Sequence, residues 1–129
     1  CLAMHDGEYP YVLPLNFVRQ GQALYIHCAP EGHKLDCIRQ NPRVAFTLMG
    51  DVTIHREKST TYFKSLCGKG TACIIEDEAE KGRALDAIAQ RYAALCPQPT
   101  PTASIKRTAI VRIDIEELTG KRNLPSGAA

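Results

Sequence analysis

Alternation of apolar and polar positions dominates this chain, broken by short turn signals and by one long stretch of helical period. Residues 22–28 set Leu24, Ile26 and Cys28 against Ala23, Tyr25 and His27, the period of a half-buried strand. Pro30 ends that strand because proline has no N–H for a ladder, and Glu31-Gly32 turns the chain. A short helix then starts at Gly32 or His33. Leu35 and Ile38 share one of its faces, and Asn41-Pro42 stops it.

The same reading extends outward in both directions. Residues 1–5 read as the end of a strand, and Asp6-Gly7 as a turn. Residues 9–19 read as one longer strand, with Tyr9, Tyr11, Leu13, Leu15 and Phe17 on one face. Pro10 and Pro14 fall on the other face and remove two ladder donors, so this strand is at an edge or bulged in its middle. Gln20-Gly21 turns it into an antiparallel hairpin with residues 22–28, which sets Pro14 and Asn16 alongside Tyr25 and His27. Residues 43–54 form a strand, 51–61 a polar bend or loop, and 60–77 a long strand interrupted by Gly68 and Gly70. Those glycines mark a bend of a sheet that curls to close. Residues 77–95 form the clearest helix, capped by Asp77, with Leu85, Ile88, Ala89, Tyr92 and Leu95 as its apolar stripe. Residues 96–102 are a proline-rich connector, 107–117 a final strand, and 118–123 a polar, basic end. Strands outnumber helices and no βαβ alternation appears. The expected architecture is mainly β: a small antiparallel barrel with two or three external helices, one domain over residues 1–129.

A chain of 129 residues can bury roughly two-thirds of its unfolded surface. A net charge of +2 is too small to argue for a nucleic-acid partner, and no apolar run approaches the ~20 residues of a membrane span. The six cysteines are scattered with no CxxC, which suits free thiols in a reducing cytoplasm. His33 and Cys37 lie four apart on one helix face, but no second pair has ligand spacing, so we expect no metal. The chain opens at Cys1 in mid-strand, and we expect a preceding segment outside this sequence.

No nucleophile elbow, HExxH helix, P-loop or dinucleotide fingerprint occurs. What remains is a cluster: Pro14 and Asn16 on a broken strand, His27 at a strand end, His33 and Lys34 on a first helical turn. Free N–H groups and the positive dipole end of that turn suit a phosphate, whereas a cation there is unfavourable when nothing is bound. A solvated basic turn is the alternative. A flat polar ring with a phosphate tail would use both halves of the cluster.

Pro10-Tyr11-Val12-Leu13-Pro14-Leu15-Asn16-Phe17, Leu24-Tyr25-Ile26-His27, Glu31-Gly32-His33-Lys34-Leu35-Asp36 and Asn41-Pro42-Arg43-Val44 follow one another at characteristic spacing. In these pieces the chain resembles the flavin-binding split-barrel proteins, relatives of pyridoxamine 5′-phosphate oxidase, and most of all the 5-nitroimidazole-resistance (Nim) branch. Residues 62–77 and Thr119-Gly120-Lys121-Arg122 are similar to that branch too. The resemblance implies a Greek-key-like split β-barrel and a homodimer binding FMN in clefts shared between subunits. It implies that Lys34 holds the flavin phosphate with Cys28 and His33, although family members commonly carry arginine where His33 stands. Tyr11, Val12, Leu13, Pro14 and Asn16 would run beside the ring, Tyr62 and Ser65 would approach from the other subunit, and His27 would meet a small-molecule substrate. The implied activity is that of an oxidoreductase, nitroreductase-like or pyridoxamine-phosphate-oxidase-like. A flavin carrier without turnover, or a barrel that has exchanged flavin for haem, are the other readings.

Overall fold

The computed structural model of the protein describes residues 1–92 and 102–127. Seven strands and three helices follow in the order β1 (Leu2–His5), β2 (Pro10–Leu13), β3 (Val18–Gln20), β4 (Ala23–Cys28), α1 (His33–Gln40), β5 (Arg43–His55), β6 (Thr60–Ile75), α2 (Glu78–Arg91), α3 (Thr102–Lys106) and β7 (Ala109–Asn123). They make one antiparallel sheet in the order β2-β1-β5-β6-β7-β4-β3. The sheet curls into an antiparallel barrel, as the alternation predicts, and of the split kind that the resemblance implies.

The stretch expected as one strand over residues 9–19 is two. β2 pairs with β1 at one edge of the sheet, β3 pairs with β4 at the other, and residues 14–17 cross between the edges. Pro14 explains the break, since a residue without N–H cannot carry a ladder onward. The expected hairpin is real but shorter: its ladder runs from Gln20↔Ala23 to Val18↔Tyr25 and stops there, so Asn16 and His27 are not a ladder pair. Side chains of Tyr11, Leu13, Leu15 and Phe17 nevertheless all pack inward against the core.

That core is built from Leu2, Met4, Leu24, Ile26, Val44, Phe46, Val111 and Ile113 of the strands, closed below by Leu35, Cys37 and Ile38 of α1. Gly68 exists to admit one of these groups. A methyl at its Cα would land on the tip of the buried Phe46 ring. At Lys69/Gly70 the β6–β7 register shifts by one residue, the bend that the two glycines predict. Outside the sheet, α2 lays Ala84 and Leu85 over Ile75 and Ile110, a second small core. Asp77 caps α2 by accepting the Glu80 N–H at 2.7 Å, as expected.

Two further differences from expectation concern the ends of the long strands. β5 continues through His55 and β7 through Asn123, so the polar segments assigned to a loop and a tail are instead the tips of a three-stranded arm. The arm is exposed on most of its surface, so its residues need not alternate. α3 falls where no element was expected, and the proline-rich connector lies outside the described residues but for Thr102, as does Leu95. Among the described residues, no helix is long and apolar enough to cross a membrane.

α2 is tied to the sheet by charge. The Glu80 carboxylate accepts Arg112 Nη1 at 2.7 Å and the Tyr25 hydroxyl at 2.9 Å, while Arg112 Nε donates to Asp114 at 3.0 Å. The guanidinium holds the Glu80 carboxyl below the ordinary value of 4.5. A depressed carboxyl stabilises the fold above its unfolded value and loses that contribution as pH falls through the folded one. Arg112→Ala is therefore expected to lower stability at pH 7 by about 1–2 kcal/mol and to flatten the further loss between pH 5 and about pH 3, read by urea unfolding. Gly68→Ala is expected to cost about 1–3 kcal/mol, and adding Phe46→Leu to recover part of it; a strictly additive double mutant would contradict the Phe46 contact.

Candidate functional site

The first turn of α1 is open. Gly32, at φ 141° in the region that favours glycine, leads the chain in from β4, and no side chain caps the helix. The N–H groups of Leu35 and Asp36 bond the Gly32 carbonyl at 3.0 and 3.2 Å. Those of His33 and Lys34, the first two residues of the helix, point out of its end. A first turn normally attracts acids; here His33 and Lys34 lead it, with Asp36 the one acid of the turn.

Lys34 is half-buried and turns back toward the end of β4. Burial pushes the Cys28 thiol up, and the Lys34 ammonium beside it draws it partway back. His33 meets Tyr11 edge to face, with ring centroids 4.8 Å apart and planes at 73°. Its Nε2 lies 3.9 Å from the Asp6 carboxylate and 3.6 Å from Cys37 Sγ. Asp6 is itself fixed by accepting the Glu8 N–H at 2.8 Å and the Tyr9 N–H, which hold its carboxyl below the usual range. Tyr11, Cys28, His33 and Lys34 thus lie close together; of the cluster expected from the sequence, His33 and Lys34 are in it and Pro14, Asn16 and His27 are not. Asp6 joins them unannounced: Asp6-Gly7 signals a turn, and nothing local says that the carboxylate faces a histidine.

The other expected residues sit elsewhere. Val12, Pro14 and Asn16 are exposed along the outer side of β2 and the crossover, while Leu13 packs inward. Val12, 62% exposed, borders a hollow of about 280 Å³ on the outer sheet face, lined also by Ala45, Thr47, Cys67 and Thr119. His27 pairs with Ile110 and is exposed on the outer face of β4, whereas Cys28 packs inward. Strand alternation therefore separates His27 from the Lys34 cluster. Tyr62 and Ser65 lie on the arm, opposite Thr53 and Met49, at least about 20 Å along β5 from its α1 end at ~3.3 Å per residue. Ser65 lines a hollow of about 450 Å³ with Met49, Leu66, Lys121 and Arg122. Within a single chain these two residues do not join Lys34. Among the described residues no group of three His, Cys, Asp or Glu side chains is placed to hold a metal.

A family model described as pyridoxamine 5′-phosphate oxidase matches residues 1–122. The chain belongs to the pyridoxamine 5′-phosphate oxidase family. Among solved structures it is similar to a protein assigned to 5-nitroimidazole antibiotic resistance in Bacteroides thetaiotaomicron, at 27% identity over 92% of this chain and 73% of that one, with a TM-score of 0.80. A FAD-binding protein from Mesorhizobium loti aligns at 23% identity over 95% and 84% of the two chains, TM-score 0.69. A FAD- and haem-binding protein from Mycobacterium smegmatis aligns at 20% identity over 98% and 67%, TM-score 0.77. These last two share the fold. No curated protein sequence matches the chain.

The Lys34 placement has a consequence at Cys28. Thiolate is the form that alkylates, so removing the ammonium makes Cys28 less acidic and slower. Lys34→Met is expected to slow peptide-resolved iodoacetamide labelling of Cys28 at pH 8 by roughly two- to tenfold. An unchanged rate would place the ammonium away from the strand end.

Proposed function

We propose that this chain binds FMN in a cleft shared between two copies and acts as an oxidoreductase on small nitroaromatic compounds such as 5-nitroimidazoles. The observation that carries the reading is the uncapped start of α1, where outward N–H groups and Lys34 offer positive charge while the one acid of the turn, Asp36, is paired with Arg39. That donor set fits a dinegative phosphate. Lys34 would hold the phosphate, with His33 and Cys28 beside it. The backbone and exposed polar groups of Tyr11, Val12, Leu13, Pro14 and Asn16 would face the polar edge of the ring.

Bound flavin supplies the electron chemistry. The protein supplies binding, orientation and a proton. His27 is exposed at its strand end, where an imidazole could pass a proton to a substrate oxygen. Tyr62 and Ser65, too far along the arm to reach Lys34 in their own chain, would serve the cleft of a second copy. Exposed Met49 at 76% and Ile54 at 73%, with the apolar hollow around Val12, support a surface made to be covered. The barrel structures named above that bind FAD, or FAD and haem, support a flavin or haem ligand for this fold. Exposed His27 or His33 is what would favour haem, as a side chain able to hold its iron.

The purified full chain is expected to take up FMN with a flavin spectrum. Lys34→Ala is expected to weaken that binding by about 1.5–3 kcal/mol, roughly 10- to 150-fold. An unchanged titration would remove the phosphate assignment, and a haem spectrum would favour the other ligand. Bleaching by NADH or NADPH with reoxidation by a nitroimidazole separates an enzyme from a carrier.

A further inference from the structure

Residues 14–17 cross the mouth of the barrel outside any ladder, and one side chain from α2 holds the end of that crossing. The Tyr92 hydroxyl accepts the Phe17 N–H at 3.3 Å and donates to the Phe17 carbonyl at 3.2 Å, so a single hydroxyl meets both backbone groups of one residue. The Arg91 guanidinium stacks over the Phe17 ring, 4.7 Å from its centroid. Tyr92 is itself fixed as the C-cap of α2, its N–H bonded to Ile88 and Gln90 carbonyls. The opposite end of α2 is locked to β4 and β7 through Glu80, Tyr25 and Arg112. α2 is thus a strut: seated on the sheet at one end, gripping the crossing at the other.

The gripped N–H belongs to the peptide that joins Asn16 to Phe17. A peptide is planar, so fixing its N–H direction fixes the Asn16 carbonyl in the same plane. Pro14 restrains the other end of the crossing through its ring. We infer that Tyr92 is a positioning residue for the flavin ring: its two hydrogen bonds to Phe17 orient the 14–16 backbone that meets the ring's polar edge. The inference rests on the flavin reading above. Tyr92 itself makes no contact with the ring; it acts through Phe17. The helix stripe that contains Tyr92 therefore serves the site as well as the packing.

The test uses the full chain, FMN as the probe, and Tyr92→Phe, which keeps the ring and removes the hydroxyl. Amide exchange across residues 14–18 is expected to quicken about tenfold or more. FMN affinity is expected to fall about three- to tenfold, and the absorption fine structure of bound FMN to move toward that of free FMN. Arg91→Gln, which loosens the same grip without touching the hydroxyl, is expected to shift both readouts in the same direction by less. Arg112→Ala loosens the far end of α2; it is expected to cost stability and to shift the bound-FMN spectrum by less than Tyr92→Phe does. Quickened exchange in Tyr92→Phe with parental affinity and spectrum overturns the positioning role, and so does an Arg112→Ala spectrum shifted as far as that of Tyr92→Phe. If the parent chain takes up no FMN, the flavin reading fails and the positioning role fails with it, whatever the exchange rates show.

Discussion

A curled sheet has two edges, and in this protein one short run of chain has to supply both. β2 and β3 are separated by residues 14–17 alone, yet they pair at opposite ends of the seven-strand order. Pro14, with no N–H to give a ladder, forces the chain off one edge, and Leu15 and Phe17 then bury their side chains over Leu24, Ile26, Phe46 and Ile113 as it crosses. The barrel is split for this reason. Its mouth is spanned by four residues of backbone and not by hydrogen-bonded strands, and Pro14 and Asn16 are left facing outward.

The lower end of the barrel carries a conflict of charge that the fold alone does not require. A histidine and a lysine lead α1 at its positive end, with Asp36 the one acid of the first turn, and a cation there costs on the order of 0.3–1 kcal/mol. Asp6, 3.9 Å from His33, offsets part of it from the neighbouring turn. In the proposed reading an anion at the helix start relieves the rest. Burial of Leu35, Cys37 and Ile38 beneath the barrel keeps this short helix in place while its first turn stays open. Packing thus takes one face of these eight residues, and the proposed anion site takes their first turn.

What the sequence discloses and what it hides follow from how local each signal is. The segment from β4 through α1 is legible because Pro30, Gly32 and Asn41-Pro42 act on their own neighbours. The crossing is half legible: Tyr11, Leu13, Leu15 and Phe17 keep a period of two through both strands, because alternation reports which side faces the core and says nothing of the partner strand. The arm is hidden by its own exposure, since residues open to water on both faces need no pattern, and its polar composition imitates a loop. Asp6 and Tyr92 enter the site region through contacts made by distant elements: Asp6 by a turn folded against α1, Tyr92 by a helix end brought 75 residues back along the chain. Spacing marks Tyr92 only as a packing residue of its helix, and does not mark Asp6 at all. His27 and Cys28 are adjacent in sequence and opposite in space, which a strand dictates and a motif does not.

The account stands on an anion seated at the open turn of α1. Calorimetric titration of the unaltered chain with FMN and with riboflavin, which has the same ring and lacks the phosphate, tests it most directly. FMN is expected to bind about 100-fold or more tightly than riboflavin, the scale of charge-assisted hydrogen bonds to a phosphate. Equal affinity for the two would contradict it, leaving the helix start a solvated basic turn.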